Sequence, residues 1–456
     1  MKKDYDVIIV GAGPAGIFAA LELVKRDGLK VLMLEKGPPV ESRSCPARVS
    51  SCRKCQPCSI TCGWGGAGAF SDGKLTLSPE VGGWLEEYVG REELASLIEE
   101  ADALWREFGA PEHCYGDDEK AAAWKRRAVL ADLQLTPNRL RHLGTDRCRE
   151  VLVRIGEFLE GRVEVHTATE VTGIMAEGGM VRGVRTARGE EITAEAVVLA
   201  PGREGAEWLA DQMLALGGEM RSNAVDIGVR VEVPAPVLQE LTTDLYEPKL
   251  VYYSRNFEDR VRTFCMNPHG QVCVERYGDV LTVNGHSYSD HRGELTNFAL
   301  LVSTHFTEPF REPIAYGKYI ARLANLLGEG ILVQRLGDLE AGRRSTAERL
   351  ARSTITPSLR DATPGDLSFV LPYRYLSDIL EMLKALDQLA PGVYSRSTLL
   401  YGVEVKFYSA RHLLDQRLMT NVRNLYAIGD GAGVTRGLMQ ASASGLVAAR
   451  SILNRP

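Results

Sequence analysis

The feature that most constrains the fold of this chain lies near its start, where Tyr5–Gly16 reads YDVIIVGAGPAG. A short apolar run, typical of a strand buried on both faces, leads into Gly11, Gly13 and Gly16 with G-x-G-x-x-G spacing. A helix-compatible run follows, and a second apolar strand then ends at Glu35. This order of strand, glycine turn, helix, strand and acid predicts a dinucleotide-binding βαβ unit.

Each residue type in this unit has a physical role. Gly11 permits a tight turn, Gly13 lets the backbone approach a pyrophosphate, and Gly16 lets helix and strand pack closely. The helix N-terminus offers N–H groups to the phosphates. The carboxylate of Glu35 is placed to accept hydrogen bonds from a ribose, and it favours a free 2′-hydroxyl over a 2′-phosphate because two negative charges repel each other.

Composition excludes several classes of protein. The chain has 456 residues, of which 45% are hydrophobic and 25% charged, so it is globular and long enough for two domains. Its net charge of −6 argues against nucleic acid or an anionic membrane as a partner. Its apolar runs are too short for a signal peptide or a membrane span, so we expect a soluble, cytoplasmic protein.

Two later stretches continue the pattern of the first. After strand-like runs separated by turns, an apolar run ends in a glycine turn at Gly202. Near the C-terminus, Leu425–Ala432 reads as a strand followed by Gly429, Asp430 and another glycine, and a helix rich in small residues begins near Gly437. An acid at the tip of a strand suits a second polyol contact, so Asp430 is predicted to hold a hydroxyl of the dinucleotide.

The middle of the chain has a different pattern. Residues 226–233 alternate as in a strand with one face in water, and further strand-like runs follow. Amphipathic helices are predicted at 314–327 and 373–389. We therefore predict a second, α+β domain inserted into the first.

Three segments together resemble the FAD-binding flavoproteins of the glutathione reductase and p-hydroxybenzoate hydroxylase type: Val7–Glu35, Val197–Gly202 and Leu425–Ala432. Finer motifs resemble a narrower group, the uncharacterised prokaryotic FAD-dependent dehydrogenases: GGAGAFSDGKL (Gly65–Leu75), FCMNPHGQV (Phe264–Val272) and VNGHS (Val283–Ser287). The resemblance implies FAD as the cofactor and an oxidoreductase activity.

The resemblance and the patterns together predict an α/β fold, in which a doubly wound, Rossmann-like FAD-binding domain carries an inserted α+β substrate domain. The predicted boundaries are 1–221 and 395–456 for the FAD-binding domain and 222–394 for the insert. The predicted cofactor contacts are Gly11, Gly13, Pro14, Ala15, Gly16, Glu35, Lys36, Gly65, Gly66, Ala67, Ser71, Gly202, Gly429, Asp430 and Gly437. A second G-x-G-x-x-G is absent from mid-chain, so a dedicated nicotinamide domain is not expected, although transient NAD(P)H binding stays open.

Five of the nine cysteines are clustered: Cys45, Cys52, Cys55, Cys58 and Cys62. The last four have C-x2-C-x2-C-x3-C spacing, which resembles the run that binds a cluster in bacterial ferredoxins. The chain departs from that pattern because glycine, not proline, follows the run and no second run exists. A single [4Fe–4S] cluster is one hypothesis; zinc, a flavin-coupled dithiol and inert thiols are the alternatives.

Four residues are candidates for catalysis. Glu404 and Lys406 lie on one face of a predicted strand, which is interpreted as an exposed, salt-bridged face, with an acid/base pair or anion clamp as the alternative. His269 could donate a proton or be structural. Lys74, after the glycine-rich GGAGAF turn, could stabilise a reduced flavin.

The leading functional hypothesis is an FAD-dependent dehydrogenase or reductase that moves hydride or electrons between FAD and a small organic substrate. NAD(P)H or a ferredoxin-like carrier could exchange electrons with it. The alternatives are a flavin monooxygenase and a flavin-binding electron-transfer subunit without a substrate of its own.

Overall fold

The structure is a computed structural model that describes residues 3–45, 53, 55–116, 118–136, 138–221, 225–277, 279–287, 292–304, 306, 312–407 and 409–454. The chain forms two compact units. Unit 1 consists of Met1–His113, Arg141–Asn223 and Ser409–Pro456, and unit 2 of Cys114–Leu140 and Ala224–Tyr408. Within the described ranges, no helix combines the length and apolar character that crossing a bilayer requires.

The chain contains helices and strands throughout its length, with several runs of consecutive strands. The helices are α1 (Pro14–Leu23), α2 (Glu86–Val89), α3 (Arg91–Glu107), α4 (Asp118–Leu130), α5 (Thr145–Leu159), α6 (Ala206–Ala215), α7 (Ala235–Leu245), α8 (Pro313–Gly328), α9 (Leu336–Glu340), α10 (Ala347–Ala351), α11 (Tyr373–Leu389) and α12 (Leu438–Leu453). The strands are β1 (Tyr5–Val10), β2 (Val31–Leu34), β3 (Lys74–Thr76), β4 (Gln134–Thr136), β5 (Leu140–His142), β6 (Glu164–His166), β7 (Val171–Glu177), β8 (Met180–Thr186), β9 (Glu191–Leu199), β10 (Met220–Arg221), β11 (Val225–Pro234), β12 (Lys249–Tyr253), β13 (Arg260–Asn267), β14 (Gln271–Tyr277), β15 (Val280–His286), β16 (Leu295–Thr304), β17 (Leu332–Arg335), β18 (Thr363–Pro364), β19 (Leu399–Lys406), β20 (Arg411–His412) and β21 (Leu425–Ala427).

Unit 1 is built on a parallel sheet with the order β6-β2-β1-β9-β21. The apolar run of β1 is buried on both faces, as the sequence predicts. Helix α1 packs closely on α12, because a Cβ at Gly445 would lie only 2.3 Å from the carbonyl oxygen of Ala15. The first half of β9 pairs instead with β8 in an antiparallel β7-β8-β9 meander. The predicted doubly wound, Rossmann-like fold is confirmed.

Unit 2 is built on a mainly antiparallel sheet with the order β18-β17-β19-β11-β16-β13-β12-β4. One face is apolar and packs against α7 and α11; it includes Ile227, Val229 and Val231 of β11. The other face carries polar side chains and is partly covered by the β14-β15 hairpin. Every residue of β11 except the last is buried, so the expectation of a strand with one face in water is wrong.

The limits of unit 2 differ from the predicted insert at 222–394. Strand β19, which the sequence assigned to the FAD-binding domain, pairs with β11 and β17 and belongs to unit 2. The segment Cys114–Leu140 also belongs to unit 2, because its strand β4 pairs with β12. Both differences depend on pairing between strands far apart in the sequence, which local patterns do not record.

Candidate functional site

The carboxyl ends of parallel strands bring the predicted cofactor contacts together at one edge of the unit 1 sheet. Gly11 follows β1 directly, Glu35 follows β2, Gly202 follows shortly after β9, and Gly429 follows shortly after β21. Ligands of open α/β sheets bind at this edge, where loops leave the strand ends.

The glycine turn after β1 tolerates no side chain at its ends. Gly11 has a φ of +103°, and a Cβ there would lie 2.2 Å from the carbonyl oxygen of Ala200. A Cβ at Gly16 would lie 2.0 Å from the carbonyl oxygen of Gly11. No described side chain caps the N-terminus of α1, which begins after Gly13, so its first N–H groups can donate to an anion.

The carboxylate of Glu35 already accepts backbone hydrogen bonds. Its Oε2 accepts from the N–H of Ala12 at 2.9 Å, and its Oε1 accepts from the N–H groups of Gly37 and Gly63, both at 2.8 Å. A carboxylate has about four lone-pair sites, so roughly one is left for a ribose hydroxyl. Glu35 therefore also joins the glycine turn to the loop that contains Gly63, a role that the sequence did not indicate.

The GGAGAF motif lies directly on the glycine turn. The N–H of Gly65 donates to the carbonyl oxygen of Ala12 at 2.7 Å. A Cβ at Gly66 would lie 3.0 Å from the Cα of Gly13. The motif forms a short 3-10 helix, Gly66–Phe70. The close backbone approach that its glycines predict is therefore present, and its partner is the dinucleotide turn.

Asp430 binds the segment that leads into the last helix of unit 1. Its Oδ1 accepts from Thr435 Oγ1 at 2.8 Å, and its Oδ2 accepts from the N–H of Gly437 at 3.3 Å, just before α12 begins. Burial raises the pKa of Asp430, while Arg203, whose Nε lies 3.9 Å from Oδ2, acts in the opposite direction. The side chain is 21% exposed, so its open part can still accept a hydroxyl.

These residues fit an FAD. The N-terminus of α1 offers N–H donors for a pyrophosphate, Glu35 and Asp430 offer acceptors for hydroxyls, and the space beside Gly202 is open because a Cβ there would meet nothing within 4 Å. The other predicted contacts lie on the same loops: Pro14 and Ala15 in α1, half-buried Lys36, exposed Ala67, and Ser71, whose Oγ donates to the carbonyl oxygen of Gly68 at 2.9 Å.

Lys74 also lies in unit 1, at the start of β3. Its Nζ is 2.9 Å from Oδ2 of Asp72, and its side chain is largely buried. Lys74 follows the GGAGAF helix by four residues, and the ion pair with Asp72 restrains its ammonium group. Its proposed action on a reduced flavin stays a prediction.

The described cysteines of the cluster differ in burial. Cys55 is exposed, Cys45 and Cys58 are half-buried, and Cys62 is buried, which raises the pKa of its thiol. Cys52 lies outside the described residues. Within the part of the chain that the structure describes, no group of three or more His, Cys, Asp or Glu side chains is placed to hold a metal ion.

The expectation of an exposed face at Glu404 and Lys406 is wrong, because both side chains are buried in unit 2. The Nζ of Lys406 lies 3.2 Å from Glu404 Oε1 and 3.0 Å from Glu275 Oε2. Burial acts to lower the pKa of Lys406, but the carboxylates of Glu275 and Glu404 raise it overall. The β14-β15 hairpin, which carries Glu275, covers this face of the sheet.

Arg230 completes this buried group and was not identified from the sequence. Its Nη1 lies 3.4 Å from Oε2 of Glu404, and its guanidinium donates twice to the carbonyl oxygen of Cys265. A Cβ at Gly285 would lie 2.2 Å from its Nη2. The FCMNPHGQV and VNGHS motifs therefore surround a buried arginine. Charged and apolar residues alternate along both β11 and β19. This alternation was the signal in the sequence that could have indicated a pair of opposite charges between the two strands.

His269 takes part in a turn of unit 2. Its backbone is left-handed, with a φ of +54°, and its Nδ1 lies 2.8 Å from the carbonyl oxygen of Gly293. Nδ1 therefore carries the proton in this hydrogen bond, which agrees with the structural interpretation of this histidine.

Family models match both units. Residues 6–48, in unit 1, match an FAD binding domain. Residues 224–407 match the family described as FAD-dependent protein, C-terminal domain-like, and this range coincides with the long segment of unit 2. Together with the fold and the glycine turn, the two matches identify the class as an FAD-dependent protein.

Individual relatives add little about the reaction. An uncharacterised protein of Clostridium beijerinckii is 27% identical over 98% of this chain and 80% of its own length. A digeranylgeranylglycerophospholipid reductase of Methanosphaerula palustris is 50% identical, but over only 9% of this chain and 10% of its own length. The solved L-proline dehydrogenase of P. horikoshii aligns over 99% of this chain and 94% of its own, with 13% identity and a TM-score of 0.42.

Proposed function

We propose that this protein is a dehydrogenase or reductase that transfers hydride or electrons between FAD and a small organic substrate. The observation that carries the proposal is the meeting of the glycine turn, Glu35, Gly202 and Asp430 at the carboxyl edge of one parallel sheet. Bound FAD would supply the redox chemistry. The chain's own residues would bind and orient the dinucleotide.

The proposal also covers the electron donor or acceptor and the type of flavoprotein to which the chain is related. The absence of a second G-x-G-x-x-G favours transient binding of NAD(P)H, or exchange with a ferredoxin-like carrier, over a dedicated nicotinamide domain. The resemblance to the glutathione reductase and p-hydroxybenzoate hydroxylase type supports the mode of FAD binding. A cytoplasmic location is proposed because the apolar runs of the sequence are too short for a signal peptide or a membrane span.

A [4Fe–4S] cluster in the cysteine loop is an additional proposal. It rests on the spacing of Cys52, Cys55, Cys58 and Cys62 and on the position of that loop, since Gly63, directly after the last cysteine, bonds the same Glu35 carboxylate as the dinucleotide turn. A cluster there would exchange single electrons with the flavin.

The test begins with anaerobic purification, an absorption spectrum, and iron and zinc analysis. We expect flavin bands that an added reductant bleaches; a chain that binds no flavin would overturn the proposal. Iron at background level would overturn the proposal of an iron–sulfur cluster and leave the proposal of an FAD enzyme unchanged. A panel of amines, hydroxy acids and enoates with an artificial electron acceptor then tests turnover, and rapid oxygen consumption with a hydroxylated product would favour the monooxygenase instead.

A further inference from the structure

The side chain of Arg43 binds the backbone of the loop between Cys58 and Trp64. Its guanidinium donates to three carbonyl oxygens: Nε to Ser59 at 3.0 Å, Nη2 to Ile60 at 2.8 Å and Nη1 to Trp64 at 2.6 Å. Only 2% of the residue is exposed. Hydrogen bonds from a buried charged donor are stronger than those between neutral groups, so this side chain defines the path of the loop.

Two neighbouring residues, Gly63 and Phe70, lie close to the side chain of Arg43. A Cβ at Gly63 would lie 2.7 Å from Cδ and 2.9 Å from Nε of Arg43. On another side, Cζ of Arg43 lies 4.9 Å from the centroid of the Phe70 ring, which belongs to the GGAGAF helix. Arg43 therefore contacts both the cysteine loop and the motif that lies on the dinucleotide turn.

The same loop is tied to the dinucleotide turn through Glu35. Its Oε1 accepts the N–H of Gly63 and its Oε2 accepts the N–H of Ala12, while Gly65 donates to the carbonyl oxygen of Ala12. One acidic and one basic side chain thus both bind the backbone of the segment around Gly63. Burial lowers the pKa of Arg43 to about 10, and Glu35 acts in the opposite direction, so the guanidinium stays charged at neutral pH.

We propose that Arg43 is a positioning residue of the FAD site, which holds the Cys58–Trp64 loop so that Glu35 and the GGAGAF motif keep the shape that FAD binds. The inference rests on the proposed function, since it concerns the same site. It assigns no contact between Arg43 and the cofactor. The three carbonyl oxygens that Arg43 binds require a planar group with donors in a fixed arrangement, which the ammonium group of lysine does not offer.

The experiment measures the Kd for FAD by titrating the apoprotein and following flavin fluorescence. Arg43→Ala and Arg43→Lys are both expected to raise the Kd at least about tenfold, which corresponds to the loss of hydrogen bonds from one charged donor. Ethylguanidinium, but not ethylammonium, is expected to restore much of the affinity of Arg43→Ala. Arg188→Ala, which removes an exposed arginine from a turn of the same unit, is the matched control and should keep the wild-type Kd.

The outcomes separate this inference from the proposed function. If the wild-type protein binds no FAD, the proposed function fails. If the wild type binds FAD and Arg43→Lys stays within about twofold of it, the inference is overturned and the proposed function stands. Rescue by ethylammonium as strong as by ethylguanidinium would also overturn it, because charge alone would then suffice. If neither Arg43 variant folds by circular dichroism, Arg43→Gln repeats the test with a neutral side chain that has fewer donors, and a Kd within about twofold of the wild type overturns the inference.

Discussion

The variant Glu404→Gln removes the carboxylate that lies between Arg230 and Lys406 inside unit 2. Arg230 and Glu404 are fully buried, and the two ion-pair distances are 3.4 and 3.2 Å. The substitution keeps the size of the side chain and removes only its charge. It therefore isolates the electrostatic part of the interaction.

The expected loss follows from what remains around the two cations. Removing one partner of a buried ion pair costs about 3–5 kcal/mol, because the other charge is left uncompensated. Lys406 keeps Glu275 at 3.0 Å, and Arg230 keeps the carbonyl oxygen of Cys265. The loss should therefore lie at the lower end, about 3 kcal/mol, which corresponds to a fall in Tm of about 6–12 °C for a unit of this size.

Thermal and urea unfolding of the full chain, followed by circular dichroism, measures this loss in the transition of unit 2. The matched control is Glu195→Gln, since Glu195 is largely exposed and its partner Lys3 lies at 3.2 Å; a change within about 0.5 kcal/mol is expected there. The double variant Arg230→Met/Glu404→Gln should recover part of the loss, because the Arg230 cation is then no longer buried without a carboxylate while Lys406 keeps Glu275. A change within about 0.5 kcal/mol for Glu404→Gln would refute the reasoning.

Three further variants test the site and the pH dependence. Gly11→Ala should abolish FAD binding in a fluorescence titration, because its Cβ would lie 2.2 Å from a carbonyl oxygen, whereas Gly173→Ala, with its nearest neighbours at 3.9 Å, should bind normally. Burial lowers the pKa of His412 to about 4, so only the unfolded state binds that proton between about pH 4 and 6.5. The stability of unit 1 should therefore rise with pH over that window, and His412→Leu should flatten the rise in a series of thermal melts; an unchanged slope would contradict this assignment. Burial raises the pKa of Asp378 to about 6, and the carboxylate of Asp259 acts in the same direction. Between about pH 4 and 6 the folded state therefore binds more protons than the unfolded state, so the stability of unit 2 should fall as the pH rises through this window. Asp378→Asn should remove that loss and stabilise unit 2 at pH 7.5 by up to about 3 kcal/mol in the same melts, and equal stability there would count against it.

Features that depend on neighbouring residues were predictable from the sequence. The turn at Gly11, the burial of β1 and the range of α11 all follow from glycine spacing or from the period of apolar residues, which record local geometry. The carboxyl edge was predictable too, because parallel strands place their ends together. The sequence places Glu35, Gly202 and Asp430 after strand-like runs, and the parallel pairing of those strands brings the three residues to one edge.

The tertiary structure alone decided what covers each element. Glu404 and Lys406 alternate with apolar residues as they would on a strand in water, yet a hairpin distant in the sequence covers them and an arginine of another strand pairs with Glu404. The segment 114–140 joins unit 2 for the same reason, since a strand partner is chosen by long-range contacts. Burial is a property of the surroundings of a residue and not of its own sequence, so the roles of Arg230 and Arg43 became visible only in the folded chain.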